Sequence, residues 1–333
     1  MIAGALPEGK QYHAVVVAPN SAIDSYYVLS GLEIGSVNRA VNVIHTAGGK
    51  GINLARALVN LGGRALCLGI AGGFAGKFIF QEMEKDGIDQ DLVWVEQETR
   101  RCSTFIYPGS VDNTVLLEPG RPVGEAAQQE LSRRIIEHAQ KAPYLILTGS
   151  LPPDFPVSYY ADMINQAKIW GLPVFLDCSD EPLQAAAQAG PALIKVNYQE
   201  FSAAFGLPED HLEIQSIEEW FKVASKAGLA TLIITDGERG AYLFSSYEPV
   251  LHVITEVGSF ISSAGAGDTF LAAFLLAKGC SLSLAESARL ASAAAAANLQ
   301  HIGCGILTKA DFDFYLGKTH VTRINHGEYP GDL

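Results

Sequence analysis

The sequence contains no apolar run as long as the roughly 18 residues that a membrane-spanning helix needs. Its first residues, MIAGALPEGKQYH, lack the charged stretch and apolar core of a secretory signal. The five cysteines, at positions 67, 102, 178, 280 and 304, form neither an even set nor a CxxC pair, so they indicate reduced thiols. These features predict a cytoplasmic protein that does not engage a membrane.

Basic residues are also scarce, because 23 Lys and Arg face 36 Asp and Glu and leave a formal net charge of -13. This balance disfavours nucleic acid as a partner, since that partner recruits clustered cations. A small anionic substrate stays compatible with it, because a few local cations can outweigh net charge at short range. With 48% hydrophobic and 18% charged residues, the chain is expected to be globular. No repeat or linker divides it, which predicts a single domain over residues 1–333.

Short apolar runs without alternation recur along the chain and predict strands that are buried on both faces, as in a parallel sheet. These runs are HAVVVAP, ALCLGIAG, YLILTGS, PVFLDCS, ALIKVN and ATLIITDG. Segments with helical spacing lie between them, namely GINLARALVNLGG, AAQQELSRRIIEHAQKA, VSYYADMINQAKIWG and IEEWFKVASKAG. The alternation of strand and helix predicts an α/β fold.

Two segments depart from this alternation, at about residues 25–46 and 92–120. Both show partial alternation of apolar and polar residues, which is typical of β-hairpins. We expect them to pair as a small sheet that projects from the main domain as a lid. After residue 265 the pattern is mostly helical.

Two phosphate-binding motifs can be excluded. The segment AGGFAGKF resembles a Walker A loop, but Ala71 stands where the first glycine is needed and Phe78 replaces the hydroxyl that binds magnesium. The segment GAGDTF fails as a dinucleotide fingerprint because Phe270 takes the place of the third glycine. Neither a P-loop nor a Rossmann site is therefore predicted.

The segment SSAGAGDTF, residues 262–270, has a physical case as an anion site. Gly265 and Gly267 allow a tight turn, and the amides of Ala266, Gly267 and Asp268 would lie at the positive end of the following helix. Asp268 either stabilises the helix start, as carboxylates commonly do, or removes a proton from an attacking hydroxyl. The residues alone leave both interpretations open.

A second glycine cluster, AGGKGIN, also precedes a predicted helix. Gly48, Gly49 and Gly51 would bring the backbone close to a small ligand, and Lys50 and Asn53 could make polar contacts with it. A plain strand-to-helix turn explains the cluster equally well.

Several segments occur together in a characteristic order: PNSAID, AGGKGINLARAL, LTGSLPPDFP, DCSDEPL, IKVNYQE, IITDGERG and SSAGAGDTF. In this order the chain resembles a ribokinase-like carbohydrate kinase of the PfkB family, from about Val15 to Gly303. The resemblance implies a three-layer α/β/α fold with a mainly parallel central sheet and a β-sheet lid over the sugar. It also implies ATP and Mg²⁺ as cofactors and a homodimer formed through the lid.

Within that family, the chain looks most similar to kinases of phosphorylated hexoses, on the evidence of Arg39 in VNRA and Arg100 in ETRRCSTFI. In those relatives basic residues at these places meet the sugar phosphate, for which a planar guanidinium is suited. The alternative is that both arginines are solvated lid residues, and Arg101 could share the role.

The implied reaction is the conversion of fructose 1-phosphate to fructose 1,6-bisphosphate, as in the 1-phosphofructokinase type. Tagatose 6-phosphate and fructose 6-phosphate are the alternative acceptors, because their kinases share every motif quoted above. Kinases of unphosphorylated sugars or nucleosides and a non-catalytic sugar-phosphate-binding protein are further alternatives.

The resemblance also implies roles for individual residues. The catalytic residues would be Asp268, as the base, and Gly265, Ala266 and Gly267, whose amides stabilise charge. Besides the two arginines, the sugar contacts would be Asp24, Gly48, Gly49, Lys50, Asn53 and Ser150, with Asn20 supporting the loop. The nucleotide contacts would be Lys195, Thr235, Gly237, Gly240 and Asn298. Asn197 and Glu200, of the pattern NxxE, would organise Mg²⁺, through water.

The chain departs from the family pattern at three places. Val196 stands where relatives usually have proline, Asp154 where they have glycine, and Asp236 where they commonly have leucine. Asp236 would lie near the nucleotide phosphates, where another negative charge hinders binding unless it points outward. The departure leaves the nucleotide preference open.

Overall fold

The computed structural model describes residues 1–107, 113–208 and 212–324. The strands of these residues are β1 (Ala14–Ala18), β2 (Ala22–Val28), β3 (Asn42–Gly48), β4 (Ala65–Gly72), β5 (Asp89–Val95), β6 (Arg100–Ile106), β7 (Thr114–Leu117), β8 (Leu145–Thr148), β9 (Val174–Asp177), β10 (Leu193–Asn197), β11 (Thr231–Thr235), β12 (Ala241–Ser245), β13 (Val250–Thr255) and β14 (Thr319–Ile324). The helices are α1 (Lys50–Asn60), α2 (Gly73–Lys85), α3 (Glu125–His138), α4 (Tyr159–Ile169), α5 (Asp180–Gln188), α6 (Tyr198–Phe205), α7 (Ile214–Ala224), α8 (Ala266–Gly279), α9 (Leu284–Asn298) and α10 (Lys309–Leu316).

In the part of the chain that the structure describes, ten strands form one large sheet in the order β14-β13-β12-β11-β10-β9-β8-β1-β4-β5. Pairing is parallel from β11 to β5, and β12, β13 and β14 extend the sheet antiparallel. All six apolar runs are parallel strands of this sheet, which confirms the predicted α/β class. The mostly helical pattern after residue 265 ends in a strand, β14, which lies at the edge of the large sheet and is only partly buried.

Apolar side chains on both faces of the large sheet form the core. In β1, Ala14, Val16 and Ala18 contribute to one apolar cluster, whereas Val15 and Val17 contribute to the other. Helices α1, α2, α8, α9 and α10 cover the first face, and α3 to α7 cover the second. The result is the three-layer α/β/α arrangement that the resemblance implied. No helix within the described ranges is both long and apolar enough to cross a membrane.

The second sheet, which we term the lid, has the strand order β3-β2-β6-β7. It is mixed, because β2 pairs parallel with β6, whereas β3 pairs antiparallel with β2 and β7 pairs antiparallel with β6. The predicted lid segment 92–120 begins inside β5, which belongs to the large sheet instead. Residues 108–112 of that segment lie outside the described residues.

A small apolar cluster joins the lid to the main body. Tyr26 and Ile106 come from the lid and pack with Cys304, and Ala264 and Ile302 flank them from the body. The Tyr26 hydroxyl lies 3.1 Å from Cys304 Sγ. The lid face that carries Tyr26 therefore rests on the loops beside the start of α8.

The strand order reverses at β1, whose neighbours are β4 on one side and β8 on the other. In open α/β sheets a crevice forms outside the carboxyl ends of the strands at such a switch point, and ligands bind there. The segments that follow β1 and β8 carry Asn20, Asp24 and Ser150. The topology thus directs attention to this edge of the sheet.

Candidate functional site

The centre of the candidate site is a chain of alternating charges at the carboxyl ends of β9 and β10. Asp177 ends β9 and is fully buried. Its two oxygens accept hydrogen bonds from Lys50 Nζ at 2.8 Å and from Lys195 Nζ at 2.9 Å. Lys50 Nζ also donates to Glu200 Oε1 at 3.0 Å. Two ammonium groups therefore share two carboxylates across four elements, α1, β9, β10 and α6.

Asp177 stays ionised although it is buried, because these two lysines stabilise its negative charge. Removal from water alone would raise its pKa, but the charges of Lys195 and Lys50 and their hydrogen bonds outweigh it and lower the pKa to about 2. Burial likewise opposes the charge of Lys50, yet the nearby carboxylates of Asp177 and Glu200 raise its pKa above the usual value. Both groups are ionised at neutral pH.

The predicted glycine turn lies directly beside this charge chain. Gly265 caps α8 with φ 79, a left-handed conformation that favours glycine. A Cβ on Gly265 would lie 2.5 Å from Cys304 Cα, and one on Gly267 would lie 2.5 Å from Lys195 Nζ. The turn therefore leaves no room for side chains, and a buried ammonium sits under the first amides of the helix. An anion at this end of α8 would gain from both.

Asp268 lies in the first turn of α8 and is 8% exposed. Burial and then the neighbouring charge of Asp177 raise its pKa from 3.8 to about 7, although Lys195 and Lys50 act in the opposite direction. A general base works best when its pKa lies near the working pH. Asp268 has this property by its environment, so both its position and its protonation suit proton abstraction.

Asp24 is held by the second glycine cluster. Asn53 Nδ2 donates to Asp24 Oδ2 at 3.1 Å, and the backbone N–H of Gly49 also donates to this carboxylate. A Cβ on Gly48 would lie 2.1 Å from Asp24 Cγ, so only glycine permits the approach. Burial raises the pKa of Asp24, against these hydrogen bonds and the charge of Arg56. Asp24 and Asp268 interact electrostatically, which places both at one site.

Arg100 lies on the same face of the lid as Asp24, because Ala22, Asp24 and Tyr26 alternate along β2 and Ala22 faces Arg100 in register. Its guanidinium donates to the carbonyl oxygens of Asn20 and Glu118. These three bonds fix the guanidinium and leave further N–H groups for a ligand.

Asn20 donates to Ser150 Oγ at 3.1 Å and so brings the segments after β1 and β8 together. Arg39 is exposed in the connection between β2 and β3, and within the described residues it has no side-chain hydrogen bond or ion pair. The structure thus brings Ser150 and Arg100 to the Asp24 end of the site and leaves Arg39 on the surface.

Asn197 and Glu200 form a reciprocal capping box at the start of α6. Asn197 Oδ1 accepts from the Glu200 N–H at 2.7 Å, and Glu200 Oε2 accepts from the Asn197 N–H at 3.2 Å. No group of three or more His, Cys, Asp or Glu residues within the described ranges could hold a metal ion. The donor set fits an ion such as Mg²⁺ that keeps its water and binds mainly to phosphate oxygens.

The predicted nucleotide residues are split between two places. Thr235 ends β11 beside Asn197 in register, and Gly237 and Gly240 follow in a tight turn with φ 54 and 87. Asn298 is fully buried, and its amide accepts from the N–H groups of Gly305 and Ile306. Its amide nitrogen donates to the Ala264 carbonyl oxygen. The Asn298 side chain thus holds two loops together, and it is buried away from any nucleotide.

Two of the departures from the family pattern have local partners. Arg239 Nε and Nη2 donate to the two oxygens of Asp236 at 2.7 and 3.1 Å, which compensates the charge that would oppose a nucleotide phosphate. Asp154 Oδ2 accepts from the N–H groups of Val123 and Gly124 and fixes the loop before α3. At Val196 the structure gives no reason for the exchange of proline.

Two residues of the site, Asp177 and Arg56, received no role from the sequence. Asp177 is the last residue of a buried parallel strand, a position that could have indicated a ligand-facing group. Arg56 follows Asn53 by three residues, so both lie on one face of α1.

The Walker-like segment holds no anion site of its own, because Glu98 accepts from the N–H groups of Phe74 and Ala75 and occupies the start of α2.

Comparison with protein families matches residues 15–310 to the pfkB family carbohydrate kinase profile. Among solved structures, phosphofructokinase-2 from Escherichia coli in complex with substrates and products gives a TM-score of 0.84 at 24% identity, over 92% of this chain and 99% of that one. A possible 1-phosphofructokinase from Thermotoga maritima gives 0.83 at 21% identity, over 94% and 99%. Arabidopsis thaliana ribokinase, complexed with ribose and ATP, gives 0.70 at 23%, over 92% and 98%. At these identities the structural likeness establishes the fold.

Proposed function

This chain belongs to the pfkB family of carbohydrate kinases, and we propose that it transfers a phosphoryl group from ATP to a hydroxyl of a hexose phosphate. The observation that supports the reaction most directly is the position of Asp268. Its carboxyl group, with a pKa of about 7, lies in the first turn of α8 beside the Gly265 turn and Lys195. A base and an anion site thus share one helix start.

In the proposed reaction, Asp268 accepts the proton of the acceptor hydroxyl as the oxygen attacks the γ-phosphorus of ATP. The N–H groups of Gly265, Ala266 and Gly267, with the Lys195 ammonium beneath them, stabilise negative charge on the transferred group. The bond to the leaving ADP oxygen breaks as the new bond forms. Phosphoryl transfer needs little covalent chemistry from the protein, so positioning and electrostatics carry the catalysis.

Mg²⁺, when bound with ATP, neutralises charge on the β- and γ-phosphate oxygens. Glu200 would hold the ion through water, since both its oxygens already accept hydrogen bonds from the protein. Thr235, Gly237 and Gly240 line the nucleotide side of the site, where Arg239 compensates the charge of Asp236.

The acceptor lies at the lid end of the site. Asp24 accepts hydrogen bonds from sugar hydroxyls, and Arg100 contacts the phosphate that the sugar already carries. Their joint position on one lid face supports this assignment. Fructose 1-phosphate is the preferred acceptor in this proposal, with tagatose 6-phosphate or fructose 6-phosphate as the alternative.

A panel of acceptors tests the proposal, with ADP release and the phosphorylated product both measured. The panel contains fructose 1-phosphate, fructose 6-phosphate, tagatose 6-phosphate, ribose and a nucleoside, each with MgATP. Turnover of a hexose phosphate far above that of ribose supports the proposal. Preference for ribose or the nucleoside would contradict the role of Arg100, and binding of a hexose phosphate without turnover would indicate a non-catalytic binding protein.

The lid also supports the proposal of a homodimer. Leu116 and Leu117 of β7 are each 63% exposed, and Ile34 and Val37 in the connection between β2 and β3 are 95% and 81% exposed. Large apolar side chains left exposed on the lid are compatible with an interaction surface there. A second copy packed on the lid would cover it.

A further inference from the structure

Arg56 in α1 is 3% exposed, and its guanidinium contacts four separate parts of the chain. Nη1 donates to Asn53 Oδ1 at 3.0 Å and to the Cys304 carbonyl oxygen at 3.1 Å. Nη2 donates to the Ala47 carbonyl oxygen at 2.5 Å. Nε donates to Asp86 Oδ2 at 2.7 Å. Only the last of these contacts points away from the candidate site.

The contact with Asn53 leads to Asp24. Because the Asn53 amide oxygen accepts from Arg56, its amide nitrogen is turned toward Asp24, to which it donates at 3.1 Å. The contact with Ala47 acts on the same group from the other side, since Gly48 packs on the Asp24 carboxylate and Gly49 donates to it. Arg56 thus fixes two of the elements that hold Asp24.

The contact with Cys304 leads to the Gly265 turn before α8. Gly265 presses against the Cys304 Cα and Cβ so closely that a side chain at 265 would overlap them. Gly305, the next residue along, packs on the backbone of Asn53 and Ala57 in α1. The position of the Gly265 turn therefore depends on a loop whose carbonyl group Arg56 holds.

We infer that Arg56 is a positioning residue that sets Asp24 and the Gly265 turn at a fixed separation, so that the acceptor hydroxyl meets the phosphoryl group in line. The inference rests on the proposed kinase function. In-line transfer depends steeply on this separation, because a displacement of about 1 Å can cost about a hundredfold in rate. The guanidinium is suited to the task because its planar fork holds several acceptors at defined angles.

The alternative is that Arg56 only stabilises the fold through its ion pair with Asp86. Two variants separate the two roles. Asp86→Asn removes the charge of the outer partner and leaves the contacts with Asn53, Ala47 and Cys304. Arg56→Lys keeps the positive charge, but an ammonium cannot hold these acceptors at the angles of the guanidinium.

With the acceptor that the wild type prefers, Arg56→Lys should raise the acceptor KM about tenfold or more and lower kcat about tenfold or more, as expected for loss of positioning. The KM for ATP should change less than about threefold. Asp86→Asn should lower the melting temperature but leave all three kinetic parameters near the wild-type values. Equal kinetic parameters for the two variants would overturn the inference. Arg56→Gln serves the same comparison if Arg56→Lys does not fold.

Hydrogen exchange of the ligand-free protein tests the inference independently of turnover. Arg56→Lys should speed amide exchange in residues 42–48 and 302–306, and Asp86→Asn should not. If the wild type phosphorylates no acceptor, the proposed function fails while the exchange result still reports on Arg56. Unchanged exchange in an active Arg56→Lys variant would overturn the positioning role and leave the kinase function standing.

Discussion

Asp268→Asn removes the proposed proton acceptor with almost no change in side-chain size. General-base catalysis contributes about 10²- to 10⁴-fold, so kcat should fall by a factor in this range. Binding of ATP and of the sugar phosphate should persist, because the Gly265 turn, Lys195 and Asp24 are unchanged. Steady-state kinetics and calorimetric titration of both ligands measure the two effects separately.

The pH dependence of the wild type adds a second measurement. Because burial and the charge of Asp177 raise the pKa of Asp268 to about 7, the base is protonated in acid. The wild-type kcat/KM should therefore rise about tenfold per pH unit below pH 7 and level off above it. Substrate phosphates titrate near pH 6, so the residual activity of Asp268→Asn serves as the control that retains only their titration.

The same pKa predicts a change in stability. The folded state binds the Asp268 proton more tightly than the unfolded chain, so wild-type stability should fall as pH rises from about 4 to about 7. The shift from 3.8 to about 7 corresponds to at most about 4 kcal/mol. Asp268→Asn should not share this loss, and its free energy of unfolding in urea should exceed that of the wild type increasingly up to pH 8. Near-normal turnover, or a difference in stability that is flat with pH, would refute the reasoning.

Three further predictions concern the lid and the turn. Arg100→Ala should raise the KM for the phosphorylated sugar about tenfold or more, because it removes at least one hydrogen bond between charged groups. The KM for ATP should change little. Arg101→Ala, on the opposite lid face, is the matched control, and an equal rise for both substrates would contradict the anchor. Gly265→Ala should lower the free energy of unfolding in urea by about 1–3 kcal/mol, since φ is 79 at this residue and Cys304 fills the space beside it. It should also lower kcat, and an unchanged kcat would contradict the role of this turn in binding the transferred phosphoryl group. Leu116→Glu should yield a monomer in light scattering, and a dimer at micromolar concentration would exclude this face.

The parallel strands could be predicted because each is buried on both faces and so reads as an unbroken apolar run. The glycine turn before α8 could be predicted for a similar reason, since two closely spaced glycines directly before an apolar helix favour a tight turn. The position of Asp177 at the end of β9 could be predicted, but its ion-pair partners could not, because Lys50 and Lys195 lie 127 and 18 residues away in the sequence. The register of β9 and β10 brings Lys195 beside Asp177, and Lys50 reaches Asp177 from the start of α1.

The lid was harder to predict because its strands belong to two distant segments. The parallel pairing of β2 with β6 cannot be read from a hairpin pattern, which assumes that neighbours in sequence are neighbours in space. For the same reason β5 was expected in part to join the lid, although it pairs with β4 in the large sheet. Alternation indicates which residues share a face, and it does not indicate which sheet the face belongs to.

The charge balance of the site supports the proposal that an acidic chain holds a phosphate donor here, and it is the reason that we propose Asp268 as the base. Lys50 and Lys195 face three carboxylates, and Asp177 takes a hydrogen bond from each lysine while Glu200 takes a second one from Lys50. Asp268 has no such partner among the described residues and shares the repulsion of Asp177, so it is the carboxylate whose pKa rises. A substitution that frees a lysine, such as Asp177→Asn, should lower the pKa of Asp268 and move the acid limb of the kcat/KM profile to lower pH. We therefore expect the burial of Asp268 and then the charge of Asp177 to set the pH at which activity is lost, although Asp177 itself exchanges no proton in the proposed reaction.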